Sequence, residues 1–509
     1  MSTTTQTNSS LASVIASSSV GTLIEWYDFY IFGFLATEIS QNFFPAANQT
    51  ASLLATLATF AAGFIVRPFG ALFFGRIGDL IGRKYTFLVT LVMMGTTTFT
   101  IGLIPGYATI GVLAPILVLV LRLLQGLALG GEYGGAATYV SEHTDKSSRG
   151  FWTSWVQTTA TLGLFVALMV ILATRHTFPK GFGDEWGGWR IPFLLSIFLV
   201  AVSIVIRLRM SESPLFAKLK EEGKTSTNPL KESFGNRENF RMVLLALFGA
   251  TMGQGVVWYT GQFYAHVFLK NTCNLIPDQA DTWVSIALLL GTGFFVFFGW
   301  LSDKIGRKII ILGGMALALL FTKPLFQQLY AVASPKGKAA QENLDKRVGS
   351  SLTSLAANKI DSMVVSDTTK VYSDGSVYKK KTETILFADA SKKPKGYAPK
   401  VTASMTLAES NKWLIIWPLF ALLMFVTMVY GPMAAFLVEL FPTRIRYSSM
   451  SLPYHIGNGV FGGLVPFLAT LIGTYNPTNP FAGLIYPIGI TALCLIIGAF
   501  LLPKNPAHA

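Results

Sequence analysis

Charge is scarce in this chain. Aspartate, glutamate, lysine and arginine together make up 13% of its 509 residues, about half the share of an ordinary soluble domain. Acidic residues are the scarcer kind, 26 against 40 basic ones, for a net charge of +14. Cysteine is nearly absent: Cys273 falls in a loop and Cys494 in the last apolar run. Neither a disulfide-stapled module nor a metal site is supported by that spacing. There is no Gly-x4-Gly-Lys-Ser/Thr loop to cradle ATP, no His-Glu-x-x-His and no Gly-x-Ser-x-Gly. An ATP-driven pump and an intramembrane enzyme therefore lack support, and no cofactor is expected.

Apolar residues take up the remaining space. They make up 51% of the chain, and its mean hydropathy is +0.50. That is enough for about twelve spans of roughly 20 residues. Their runs are continuous rather than alternating, which excludes a β-barrel. Twelve such runs fall near 21–44, 53–75, 86–104, 111–139, 151–174, 189–209, 241–268, 283–301, 308–330, 412–438, 450–474 and 481–502. The fold class expected is an all-α, twelve-helix membrane protein. The first twenty residues have no basic segment, so no cleaved signal peptide is expected and span one serves as its own insertion signal.

Orientation follows from where the basic residues sit. The loops after even-numbered spans carry Arg76, Arg83 and Lys84, then Lys146 and Arg149, then four lysines in 218–231. They go on with Lys304, Arg307 and Lys308, then Arg444 and Arg446; the loops after spans one, three and eleven carry none. Short cytoplasmic loops collect Lys and Arg. Both termini are thus expected in the cytoplasm, and the positive charge is read as topogenic, with no nucleic-acid partner. Two connections are long. Residues 210–240 form a charged cytoplasmic loop, and 331–411 an extracytoplasmic insert between spans nine and ten.

The chain repeats itself. Gly75-x-x-x-Asp79-x-x-Gly82-Arg83-Lys84 recurs as Gly299-x-x-x-Asp303-x-x-Gly306-Arg307-Lys308. Glu142 and Arg149 stand seven apart, as do Glu439 and Arg446. The second repeat is offset further than the first by roughly the length of the insert. Two six-helix halves, 1–209 and 241–509, follow, with the extra module in the second. Parallel repeats of this kind place a substrate site near the midplane between them. Asp79, Arg83, Asp303 and Arg307 at helix ends read as a gate made in one state and broken in another, with Glu142 and Glu439 as acceptors for Arg83 and Arg307. Topogenic charge plus a tight turn is the competing reading.

Intramembrane charge is costly and marks candidate function. Glu25 and Asp28 are three apart in span one, about 60° around a helix, and mutual repulsion raises the pKa of one. Such a pair suits proton uptake and release; Glu25 equally suits a helix N-terminal charge. Arg122, on approaching them, would favour ionisation. Glu132 lies in the stripe Gly126-x3-Gly130-x3-Gly134, which reads as close helix packing. It is either a proton carrier or a fixed partner of Arg67 or Arg122. Arg67, inside span two, either receives a substrate carboxylate in its planar fork or neutralises Asp28 or Glu132. Span seven offers a recognition wall of Gln254, Trp258, Tyr259, Gln262, Tyr264 and His266; Tyr454, His455 and Asn458 in span eleven add polar groups. Aromatic rings beside amides suit zwitterions and quaternary ammonium groups, although aromatics are also ordinary interface anchors. His266 has no second ligand at helical spacing, so a metal site there is not expected.

In the insert, Asp374-Gly375 between β-prone runs signals a hairpin, with strands around Met363 and Thr384–Phe387. Lys379-Lys380-Lys381 reads as a solvated strand edge that discourages pairing, or else as an anion-gathering patch.

The duplicated loops resemble the signature of the major facilitator superfamily, and Arg122-Leu-Leu-Gln125-Gly126 resembles its signature associated with proton coupling. Glu25-Trp-Tyr-Asp28-Phe-Tyr, Arg67-Pro68-Phe-Gly70 and Gln125-Gly126-x4-Gly131-Glu132-x-Gly134-Gly135 resemble the metabolite:proton symporters. That family includes permeases for proline and betaine, α-ketoglutarate, citrate and shikimate. The resemblance covers nearly all the chain outside 331–411, a module the family pattern lacks. It implies a bacterial inner-membrane transporter whose partners are a small organic acid or zwitterion, protons and the lipid bilayer. Proton-coupled uptake by alternating access is expected; a proton-coupled exporter, or a sensor on a transporter scaffold with the insert as its ligand-binding domain, are the alternatives.

Overall fold

The computed structural model describes residues 11–45, 49–81, 83–131, 133–208, 221–222, 228–338, 346–355, 362–389 and 399–503. Its helices follow the apolar runs. Among the described residues, ten are long and apolar enough to cross a membrane: α2 (Thr50–Gly78), α4 (Leu113–Glu142), α5 (Lys146–Thr177), α6 (Gly188–Ile206), α7 (Arg237–Thr272), α8 (Pro277–Ile305), α9 (Arg307–Ala333), α10 (Glu409–Leu440), α11 (Thr443–Tyr475) and α12 (Ala482–Leu501). With α1 (Leu11–Phe34) and α3 (Arg83–Leu103) they account for the twelve expected spans. Because α1 begins at Leu11, Glu25 is well inside it and is buried. It is not a helix N-terminal charge.

Helix packing follows the small residues. A methyl group added to Gly126 of α4 would strike the backbone carbonyl of Gly63, and one on Gly130 that of Arg67, both in α2. A methyl on Gly134 would instead meet the side chain of Ser451 in α11. The glycine stripe thus brings backbones into contact. The most extensive packing between helices of the first six and the last six is α5 against α8, and α2 also lies against α11.

Among the described residues, two helices carry π-helical segments. In α7 the segments Leu247–Thr251, Tyr259–Tyr264 and Phe268–Thr272 are π-helical, as is His455–Gly462 in α11. A π turn carries an extra residue and turns side chains out of α register, and such turns often occur at functional sites. The two helices meet there, Gly255 against the backbone of Gly457 and Asn458.

The insert is an antiparallel meander of four strands: β1 (Lys346–Leu355), β2 (Ser362–Val371), β3 (Val377–Leu386) and β4 (Lys400–Thr406), paired in that order. The expected hairpin is β2–β3, turning at Gly375 with φ +83°, a conformation that favours glycine. Asp374 at this turn accepts from the Ser376 backbone N–H at 2.9 Å and from the Asn411 amide at 2.8 Å, and pairs with Lys338. Lys379–Lys381 is not a strand edge. β3 is central, and these lysines pair with 367–369 on one side and 402–404 on the other. Their charge is tolerated because the side chains of Lys379, Lys380 and Lys381 remain at least partly exposed.

Candidate functional site

Polar groups gather at the centre of the helix bundle, where α1, α2, α7 and α11 meet. Trp26 stacks on Tyr30 at 5.2 Å between ring centroids, and Trp258 of α7 closes the group at 5.5 Å from Tyr30 and 6.2 Å from Trp26. The hydroxyls of Tyr30 and Tyr259 approach to 3.4 Å. Beside them lies Arg67, fully buried. The helical hydrogen-bond ladder shifts at Val66, with Pro68 following, and the Arg67 guanidinium rests over Phe64 at 4.1 Å, Phe29 at 4.3 Å and Trp26 at 5.5 Å. Its stem runs past Gly459 of α11. Cation–π contacts hold the charge in an apolar setting and leave its planar fork open, since Nε and Nη2 make no hydrogen bond.

Other polar atoms in these helices are equally uncommitted. Both amide atoms of Gln254, the indole N–H of Trp258, both ring nitrogens of His455 and Oδ1 of Asn458 are buried without a partner. A buried polar atom left unpaired costs roughly 1–3 kcal/mol, so a cluster of them is unusual unless a ligand completes it. Tyr454 anchors one side, accepting from the Asn458 amide at 2.8 Å, sharing a 2.8 Å hydroxyl contact with Tyr430 and stacking on Tyr133 at 3.4 Å. Gln262 accepts from the Thr161 hydroxyl of α5 at 3.0 Å.

The expected site residues are only partly gathered here. Arg67, Gln254, Trp258 and Tyr259 belong to the cluster. Tyr264 does not: it ends the Tyr259–Tyr264 π segment, its ring stacked on Phe326 of α9 at 5.7 Å, and it borders a separate cavity on the insert side. Asp28 is buried on the far side of α1, with Ser196 of α6 as its polar neighbour; neither carboxylate oxygen has a hydrogen bond within 3.5 Å. Arg122 does not reach Asp28. It donates to Gln125 Oε1 at 2.6 Å and to the Phe29 carbonyl at 3.4 Å, and lies over Phe29 at 4.1 Å and Phe32 at 4.5 Å. Gln125 in turn donates to Thr98 at 2.7 Å. Arg67 likewise forms no ion pair with Asp28. Glu132, and the side chains of Asp79 and Arg83, lie outside the described residues.

Ion pairs close the bundle on both sides of the central cluster. On the face away from the insert, Asp303 accepts from the backbone N–H groups of Gly150 at 2.9 Å and Phe151 at 2.8 Å, capping the start of α5. Arg307 pairs with Asp303 at 2.7 Å and with Glu439 at 3.0 Å, the acceptor expected for it. Glu439 also reaches Arg149 at 3.6 Å, while Glu142 faces Arg446 at 3.8 Å. On the insert face, Arg175 of α5 binds Asp281 at 2.9 Å and Asp278 at 3.3 Å, both of α8, and Glu38 at 3.3 Å. His266 contacts the other oxygen of Asp281 at 2.6 Å. His266, expected in the span-seven recognition wall, is bound here instead; the other members went unread in the sequence, where they are isolated charges.

A long helical chain with a polar centre, closed by ion pairs at both ends, is built like a secondary transporter. Comparison with known proteins agrees. Residues 14–228 match the "Sugar (and other) transporter" family model, and residues 133–327 match "MFS/sugar transport protein". The fold is that of the major facilitator superfamily. A structure of the proton:xylose symporter XylE superposes with a TM-score of 0.62 at 14% identity, covering 97% of this chain and 96% of that one. A partially occluded inward-open form of XylE from E. coli gives 0.59 at 14% identity, covering 97% and 98%. Among curated relatives, the α-ketoglutarate permease of Escherichia coli (strain K12) is 39% identical over 323 residues, 63% of this chain and 72% of that protein. The citrate-proton symporter of Salmonella typhi is 30% identical over 456 residues, 89% and 85%. The proline/betaine transporter of Salmonella typhimurium is 34% identical over 319 residues, 61% and 63%. The chain belongs to the metabolite:proton symporters of this superfamily, whose members are multi-pass membrane transporters.

Proposed function

We propose that this chain imports a small carboxylate-bearing metabolite together with protons across a bacterial inner membrane. Both termini and the 210–240 loop face the cytoplasm, and the 331–411 insert lies outside. Residues 1–209 and 241–509 form the two halves, which rock about the central cluster. The observation that carries this reading is Arg67, a buried guanidinium at the contact between α2 and α11 with two uncommitted donor nitrogens. An Arg fork binds a carboxylate in two parallel hydrogen bonds. Gln254, Trp258, His455 and Asn458 supply further hydrogen bonds, and the Trp26–Tyr30–Trp258 rings accept the rest of the molecule.

Transport requires that the two ion-pair sets open in turn. Asp303, Arg307, Glu439, Arg149, Glu142 and Arg446 form the cytoplasmic gate; Arg175, Glu38, Asp278, Asp281 and His266 form the outer one. With both sets made, the structure corresponds to an occluded state. Asp28 is the proton site: its carboxylate is buried within α1 and neither oxygen is hydrogen-bonded, and a carboxylate inside a spanning helix marks a proton relay. Relatives named for α-ketoglutarate, citrate, proline and betaine suggest a carboxylate common to all four substrates.

The test is proton movement in liposomes containing the purified chain, on addition of α-ketoglutarate, citrate, shikimate, proline or betaine. External alkalinisation by one of them, lost in Asp28→Asn, supports symport and names the substrate. External acidification on the same addition, protons leaving as the compound enters, would favour the antiport reading.

A further inference from the structure

A cavity of about 870 Å³ opens on the insert face, apart from the central cluster. That lies within the size range of small-molecule sites. Its walls come from the ends of α7, α9 and α11 and from the segment after α1, and its roof from Tyr378 of β3 and Thr402 of β4. Lys270 and Lys336 line it, and no aspartate or glutamate does among the described residues. Asn271 and Asn274 add amide groups.

The roof is fastened to α8. The Ile276 N–H donates to the Met405 carbonyl at 2.9 Å, and the Met405 N–H to the Asn274 carbonyl at 2.6 Å. Gln279 grips Leu407 twice, its amide donating to the carbonyl at 2.7 Å and accepting from the N–H at 2.8 Å. Gln279 stands between Asp278 and Asp281, the partners of Arg175. The sheet is thus a fixed wall of the cavity, joined to the turn of α8 that carries the outer ion cluster.

The two lysines are available to an anion. Lys270 makes a long hydrogen bond, 3.5 Å, to the Phe34 carbonyl. Asp281 lies within electrostatic reach of it, but that carboxylate is engaged by Arg175 and His266. Lys336 is exposed and makes no ion pair among the described residues. Two like charges facing a partly enclosed space, with no acid between them, raise the local concentration of anions.

We propose that this vestibule is an outer binding site for a small carboxylate of two or more charges, roofed by the insert and held by Lys270 and Lys336. Resting on the import reading above, the site collects substrate before the outer ion cluster opens toward Arg67.

Isothermal titration calorimetry with citrate and with α-ketoglutarate on the purified full chain tests this. Two binding events are expected on the wild-type protein. Arg67→Gln removes one and leaves the other. Lys336→Gln, which touches no gate residue, weakens the second by about tenfold, the size of one charge-assisted hydrogen bond. Lys270→Gln with Lys336→Gln abolishes it, and the Lys→Arg pair retains it. A single event lost only in Arg67→Gln overturns the outer site and leaves the central one standing. A single event lost only in the lysine variants upholds the outer site while the central reading fails. No binding of either compound to the wild-type chain overturns the proposal, as does equal binding by wild type and the Lys→Gln pair. Inorganic phosphate binding as tightly as citrate would show a general anion site and overturn the carboxylate assignment.

Discussion

Arg446 faces Glu142 at 3.8 Å, across the boundary between the first six helices and the last six. Its repeat counterpart does the reverse, Arg149 facing Glu439 at 3.6 Å. Each Glu-x6-Arg motif therefore exchanges its arginine for the one in the other repeat. The side chains involved are 8% exposed or less. Breaking one partner of such a buried pair costs about 3–5 kcal/mol, enough to invert a two-state balance. Replacing Glu439 by Gln should thus open this face. Spin labels at Lys146→Cys and Arg444→Cys, both exposed positions, would report it as a longer-distance population in pulsed resonance measurements. An unchanged distance distribution would remove these residues from the gate.

Much of this arrangement was legible in the sequence, and the limits have physical causes. The twelve spans were readable because lipid demands unbroken apolar runs, and the insert because its composition changes abruptly. The repeated Glu-x6-Arg spacing marked the right residues but not the exchange of partners, which depends on how two helix ends meet. Arg122 would favour ionisation of Asp28 only by approaching it; it is held instead by Gln125 three residues along its own helix, a local bond that sequence distance alone would have offered. Asp28 and Trp26 lie on opposite sides of α1, yet both are buried, since the helix packs all round. The π segments of α7, one of which ends at Tyr264, leave no signature in apolar periodicity.

The outer ion cluster should control access from the insert face. Asp281 holds Arg175 and His266 together and is 2% exposed at its side chain. Its replacement by Asn leaves Arg175 with Asp278 and Glu38, each at 3.3 Å, and takes the charged partner from His266. Cys273 lies just beyond α7, fully buried, with its thiol pushed up by that burial, so it should react slowly with a membrane-impermeant maleimide. Asp281→Asn is expected to speed that labelling by about tenfold or more, given the cost of breaking a buried pair. Equal rates in both proteins would show that this cluster does not hold the outer face shut.

Replacing Arg67 by Lys keeps the charge and loses the fork. A lysine ammonium is a compact, strongly hydrated charge that does not stack on aromatic rings as guanidinium does. The three rings around Arg67 would then face a poorly matched cation. Transport measured as kcat/KM is expected to fall about a hundredfold, corresponding to roughly 3 kcal/mol, the upper value for a hydrogen bond to a charged group. Retention of more than half the wild-type kcat/KM would argue that Arg67 does not bind substrate.

Acid should loosen the insert at one turn. Burial alone would raise the Asp374 carboxyl, but Lys338, the Ser376 N–H and Asn411 together bring it down to about 2. An unfolded aspartate titrates near pH 3.9. A depressed native pKa stabilises the fold above the unfolded value, and that contribution is lost as pH falls from about 4 towards 2. Pepsin cleavage of the insert should therefore be slower in wild type than in Asp374→Asn at pH 4.5. The two should converge near pH 2. A constant ratio across the range would show that the charge of Asp374 does not hold the turn.

Asp28→Asn separates proton coupling from substrate binding, because the two sites face different sides of α1. Arg67 and the Trp26–Tyr30–Trp258 rings face α7, whereas Asp28 faces Ser196 of α6. The neutral amide resembles the protonated acid in size and hydrogen-bonding capacity, so the bundle should close around substrate as before. Exchange of labelled for unlabelled substrate across a liposome membrane, which needs no net proton movement, is expected to stay within about twofold of wild type. Uphill uptake driven by a pH gradient should vanish. Loss of both activities would give Asp28 a structural task, and retention of gradient-driven uptake would move the proton site to another carboxylate.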